Sequence, residues 1–165
     1  MAISQADLRS AGRQASSQAT IVAKRATQRT AFLCHSHHDR ELALGLQALL
    51  RQQGLDLYID WQDATMPSAP NAETASKLRQ RIVNCEWFLF LATANSMSSR
   101  WCPWELGYAD GKKANEKIVI VPTRDGQATH GNEYMQLYRR IEPDNVGGLG
   151  IFNPNATSGY KVGSI

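Results

Sequence analysis

Cysteine is scarce in this chain and carries no pattern. Its 165 residues hold three, Cys34, Cys85 and Cys102. An odd number without a C-x-x-C pair supports neither a disulfide framework nor a zinc ribbon, and it points to a reducing, cytoplasmic home. Long apolar runs are missing too. The longest, near Trp87 to Ala92, falls far short of the ~20 residues that a membrane-spanning helix needs, and the N-terminus lacks the apolar stretch of a secretory leader. Surplus charge is absent from most of the chain. The net charge is +3, yet the first thirty residues set Arg9, Arg13, Lys24, Arg25 and Arg29 against Asp7 alone, which leaves the remainder close to neutral. A nucleic-acid binder would gather Lys and Arg on its folded surface with aromatics between them. A phosphoacceptor of similar fold would need acids ending its first and third strands, where Cys34-His35 and Ala92-Thr93 stand. Membrane, nucleic-acid and phosphoacceptor classes are therefore set aside.

What is present divides into three parts: a basic extension rich in Ala, Ser and Gln over residues 1–29, one domain over 30–152, and a tail over 153–165. In the extension Leu8, Ala11, Ala15, Ala19 and Val22 recur at helical spacing behind a Ser4-x-x-Asp7 cap, so it reads as one helix. A targeting segment, a disordered arm and an assembly helix all remain open for it. From Thr30 onward strands alternate with helices. Segments 31–34, 55–59, 87–92, 117–122 and 149–152 read as strands, with 87–92 apolar throughout. The first helix carries Leu42, Leu46, Leu49 and Leu50 on one face, with Asp39 as its N-cap and Gly54 as its stop. Asn71 caps a second helix with Ala75, Leu78, Ile82 and Cys85. A third spans 101–113, and a fourth carries Tyr134, Leu137, Tyr138 and Ile141. This alternation predicts an α/β, flavodoxin-like three-layer sandwich with a five-stranded parallel sheet in the order 2-1-3-4-5. The Gly147-Gly148-x-Gly150 cluster has no helix after it and reads as turns, not as a dinucleotide fingerprint.

The third helix carries the chemistry. At 3.6 residues per turn Trp101, Glu105, Tyr108 and Lys112 share a face, so one carboxylate sits among aromatic rings. A competing reading makes those rings core, with Glu105 helping the helix N-terminus. The expected strand order argues otherwise, because it places the loop after Cys34 and the loop 93–100 on either side of one crevice, from which this helix departs. Two other constellations are weaker. His35-Ser36-His37-His38-Asp39 has the look of a metallo-hydrolase H-x-H-x-D run, but the sixth position is Arg40 and only His130 remains elsewhere, so no metal is expected. Cys34 and Cys85 read as small buried apolar residues; Cys102, near a helix start, stays open as a thiolate.

Taken together, His35-Ser36 after the first strand, Tyr58-Ile59-Asp60 before a proline-containing loop, and the run from Ser99 through Trp101, Trp104, Glu105 and Tyr108 to Ala109 resemble a bacterial TIR (Toll/interleukin-1 receptor) domain. The free-standing format resembles the TIR signalling subunit of Thoeris-type antiphage defence. The resemblance implies that Glu105 is the catalytic residue for cleaving the nicotinamide glycosidic bond of NAD, and that Trp101 stacks on the ligand. His35, Ser36, Asp60, Trp61 and Tyr108 complete the expected NAD-binding set. NAD is then a substrate, with no further cofactor. Loop 60–70, which opens on Asp60-Trp61 and holds Pro67 and Pro70, matches the BB loop through which TIR domains self-associate. The product would be an ADP-ribose derivative, plain or cyclic, read by a separate effector protein. A non-enzymatic TIR–TIR scaffold, a plain NAD hydrolase and a nucleoside deoxyribosyltransferase are the competing readings.

Overall fold

A computed structural model describes residues 1–17 and 29–165; Ala19, Val22, Lys24 and Arg25 of the N-terminal segment lie outside the described residues. In chain order the elements are β1 (Ile3–Ser4), α1 (Gln5–Ser17), β2 (Arg29–Cys34), α2 (Arg40–Gln52), β3 (Leu55–Tyr58), α3 (Ala72–Asn84), β4 (Trp87–Ala92), the short α4 (Ala94–Met97), α5 (Trp101–Asp110), β5 (Ile118–Asp125), β6 (Ala128–His130), β7 (Arg139–Pro143), β8 (Leu149–Phe152) and β9 (Gly159–Lys161). Short 3-10 turns lie between some of them.

The strands of the centre are apolar along their whole length because both faces of the sheet are covered. Alternate side chains serve opposite layers. Leu33, Leu89, Leu91, Val119 and Val121 pack with Leu42, Leu46 and Leu50 of α2. Phe32, Phe88, Phe90, Ile118 and Ile120 pack with Leu78 and Ile82 of α3 and with Leu106 and Ala109 of α5. Phe32 and Phe88, paired in register, stack with ring centres 5.6 Å apart. Asn71 caps α3 in a reciprocal box with Thr74, and Gly54 takes the positive φ of +87° that ends α2.

The sheet order is β3-β2-β4-β5-β7-β8-β9, with β1 and β6 both pairing β5. The expected sheet of five parallel strands is corrected by this: nine strands are described, and β6, β8 and β9 run antiparallel to their neighbours. The error arises after β5. Tyr134, Leu137, Tyr138 and Ile141 have helical spacing, but residues 132–137 form turns and Ile141 lies in β7. Tertiary partners hold the two tyrosines instead: Tyr134 meets Phe90 edge-on at 5.5 Å, and the Tyr138 hydroxyl donates to Asp110 at 2.9 Å. The run 149–152 is β8, antiparallel to β7.

The N-terminal segment is not a separate extension over its described part. Strand β1 pairs with Thr123 and Arg124 of β5. The Gln5 amide donates to the Thr123 hydroxyl at 3.0 Å, which itself donates to the Ala92 carbonyl at 2.5 Å. Leu8 of α1 is completely buried. Helix α1 lies so close on α2 that a Cβ added at Gly45 would stand 1.9 Å from the Leu8 carbonyl oxygen. Only glycine allows that approach.

Candidate active site

The C-terminal ends of β2, β3 and β4 open into one crevice of about 1100 Å³, bounded by the loops that follow them and by the start of α5. The first turn of α5 is organised from two positions before the helix, where the Ser99 hydroxyl accepts from the backbone N–H of Trp101 (3.1 Å) and of Cys102 (3.3 Å). This aims Trp101 and, one turn later, Glu105 at the crevice. Glu105 is 7% exposed. No Lys or Arg lies within ion-pair distance of it among the described residues. Burial pushes its pKa well above the ordinary carboxylate value, and the nearby Asp60 adds to the rise; the Cys34 thiol beside it opposes the rise as a hydrogen-bond donor. Burial thus favours the neutral form of Glu105, and a cationic ligand beside it would favour the carboxylate.

The opposite wall is built from the root of loop 60–70. Both ring nitrogens of buried His35 are engaged: Nδ1 lies 3.1 Å from the Leu33 carbonyl, and Nε2 lies 3.0 Å from the indole Nε1 of Trp61. An indole nitrogen can only donate, so Nε2 is the acceptor and Nδ1 carries the proton. Burial lowers the His35 pKa, outweighing the pull of Asp60. The 3.7 Å approach of Asp60 to Nε2 is therefore not an ion pair. Asp60 accepts instead from the Trp61 backbone N–H at 2.8 Å. Arg40 lies over the Trp61 ring at 4.7 Å. Two residues on, Asp63 accepts from Tyr58 (2.7 Å), Arg81 (2.9 Å) and Thr65 (2.7 Å). Burial alone would raise its pKa, but these donors and the Arg81 charge hold it well below the usual carboxylate range.

A third support joins the two sides. Asp39, the expected N-cap of α2, makes no side-chain cap. Its buried carboxylate accepts from the Thr93 hydroxyl at 2.5 Å and from the Asn95 amide at 2.7 Å, tying the loop after β2 to the loop after β4.

Of the expected site residues, Glu105, Trp101, His35, Ser36, Asp60 and Trp61 line the crevice. The Ser36 side chain also accepts from His38 N–H at 3.3 Å. Tyr108 does not line it. It stacks on Trp104 at 6.1 Å with Arg79 over both rings, because α5 turns away from the crevice after Glu105. His37 and His38 sit at the rim, and no cluster of three metal-binding side chains is present among the described residues. All three cysteines are free and buried; the Cys34 thiol points at the Cys102 carbonyl, 3.6 Å away. Burial raises the Cys34 pKa, whereas the Cys34 contact lowers that of Cys102. Sequence reasoning missed Arg40, Asn95 and the bridging role of Asp39. A polar residue three past the third expected strand was the only sign of Asn95. No helix among the described residues is long and apolar enough to cross a membrane.

A mixed α/β sheet with a crevice at the ends of its second, third and fourth strands, entered by a buried glutamate one turn behind a tryptophan, defines a class. Residues 31–145 match the TIR domain family, and the chain belongs to it. Among curated proteins it is similar to a Bacillus cereus (strain MSX-D12) protein named "Probable 3' cyclic ADP-D-ribose synthase ThsB'", with 38% identity over 120 residues. That match covers 70% of this chain and 61% of the relative, so the chain spans less than two thirds of the relative's length.

Proposed function

We propose that this TIR domain consumes NAD, cleaving the nicotinamide glycosidic bond to make an ADP-ribose-derived signal, cyclic as in the relative's name, that a separate effector protein reads in antiphage defence. The observation that carries this reading is the buried Glu105 carboxyl, without a cation partner among the described residues, in the same crevice as Trp101. Nicotinamide is a cationic ring while attached and a neutral molecule once it leaves, taking the bond's electron pair with it, so the departure needs no general acid. The positive charge moves to the ribose as an oxocarbenium ion. Glu105, ionised once the cationic substrate displaces water beside it, stabilises that charge. A water oxygen then attacks the ribose carbon and loses a proton to give ADP-ribose. When a hydroxyl of the same molecule attacks and loses its proton instead, the product is cyclic. Trp101 offers its ring as the stacking surface, Ser36 and Asp60 supply polar contacts, and His35 and Trp61 shape the facing wall. Loop 60–70 is the surface for self-association. The test is incubation of wild type and Glu105→Ala with NAD at high protein concentration, with products resolved by mass. Glu105-dependent nicotinamide release together with a cyclic co-product supports the reading. Turnover that persists in Glu105→Ala removes Glu105 from its role, and release of plain ADP-ribose alone makes the protein an NAD hydrolase.

A further inference from the structure

The crevice is rich in acid and nearly empty of permanent positive charge. Asp60, Asp63 and Glu105 line it, and Arg40 is its one Lys or Arg side chain among the described residues. Asp63 is already matched by Arg81. Arg40 is not matched: no carboxylate lies within ion-pair distance of its guanidinium among the described residues. The group is placed by an aromatic face, 4.7 Å above the Trp61 ring. That ring is fixed in turn by its Nε1 hydrogen bond to His35. The Arg40 guanidinium makes no side-chain hydrogen bond among the described residues, so its N–H donors are free to act as the fork that grips a phosphate through two parallel bonds.

We propose that Arg40 is the diphosphate-binding residue of this crevice, with Trp61 and His35 as the positioning residues that hold its guanidinium ready. The proposal refines the NAD reading and rests on it for the identity of the natural ligand. It assigns the ligand class independently: a nucleoside diphosphate, recognised by its doubly charged bridge. It also gives His35 and Trp61 the task of supporting a cation.

The experiment is calorimetric titration of ADP and, separately, adenosine into wild type, Arg40→Ala, Arg40→Lys and Trp61→Ala, each with its melting temperature recorded. Nicotinamide release from NAD is measured in parallel. Wild type is expected to prefer ADP over adenosine. Arg40→Ala should weaken ADP binding by about tenfold or more, the loss of a charge-assisted contact, with adenosine unchanged. Arg40→Lys, a point charge without the fork, should fall between, and Trp61→Ala should lose the same ADP-over-adenosine preference. The proposal is overturned if wild type shows no preference, if Arg40→Ala binds ADP like wild type, or if it loses ADP and adenosine alike. An Arg40-dependent ADP preference without nicotinamide release would remove the NAD reading and leave the diphosphate site standing. Nicotinamide release with Arg40-independent ADP binding would do the reverse.

Discussion

Replacing Gly45 by alanine tests how the N-terminal helix is held. The added Cβ would stand 1.9 Å from the Leu8 carbonyl oxygen and 2.6 Å from its carbon, both backbone atoms that no side-chain rotation can move. Two responses are open. Undocking of α1 would expose Leu8 and Ile3, now 0% and 3% exposed. At ~1.5–3 kcal/mol for each buried side chain, that costs on the order of 3–6 kcal/mol. Retreat of α1 by about an ångström with strained packing costs ~1–3 kcal/mol, and a clash against backbone belongs at the upper end. Alanine returns ~1 kcal/mol through its better helix propensity. The cheaper response therefore leaves a net loss of about 2 kcal/mol, visible as a lower denaturation midpoint at unchanged slope. Amide exchange should quicken over residues 5–17 and not over β4. Gly12→Ala, whose Cβ would meet the Glu41 carbonyl at 3.0 Å, should cost less. A Gly45→Ala protein as stable as wild type, with α1 equally protected, would refute the packing argument.

Three further outcomes are expected. Because burial raises the Glu105 pKa, the folded state keeps a proton that the unfolded chain releases, so stability falls as pH rises from the ordinary carboxylate value towards the raised one. Glu105→Gln, which cannot ionise, should melt like wild type near pH 4 and above it at pH 8 while releasing no nicotinamide; melting curves that stay parallel across pH would contradict this. Asp63 has the opposite sign: its lowered pKa stabilises the fold above the ordinary carboxylate range and is lost as pH falls through the lowered value. Asp63→Asn should flatten that acid dependence and speed proteolysis within residues 64–70, and unchanged cleavage there would count against it. Asp39→Ala strands the donors of Thr93 and Asn95 and should cost on the order of 3 kcal/mol in denaturant unfolding; a loss within 0.5 kcal/mol would mean that the bridge is not structural.

Apolar runs buried on both faces made β2, β4 and the first part of β5 legible, the alternating Leu55 and Leu57 marked the edge strand β3, and Asn71 marked the start of α3 through chemistry confined to four residues. What escaped depends on partners distant in sequence. Tyr134 and Tyr138 have helical spacing, but Phe90 and Asp110 decide their conformation. Gly45 gives no sign in sequence that a carbonyl from residue 8 lies against it. In the site, Glu105 and Trp101 were visible because one helical turn sets both. Arg40 was not, since a cation resting on Trp61 exists only once β2 and loop 60–70 meet. Tyr108 was misplaced by carrying the shared face of α5 one turn too far.

Loop 60–70 is anchored mainly at its base, through Trp61 to His35, Gln62 to Gln47, Asp63 to Arg81 and Tyr58, and the Lys77 ammonium to the Thr65 carbonyl. Beyond Thr65 no side-chain hydrogen bond from the described residues reaches the tip until Ala69, whose carbonyl accepts from Thr74, and Ser68, Ala69 and Pro70 stand exposed. A loop tied in this way can change in length at small cost, ~0.6 kcal/mol for each doubling. Descendants of this sequence can therefore remodel the mouth of the crevice, and with it the choice of guest or neighbour, without disturbing the acid at its floor.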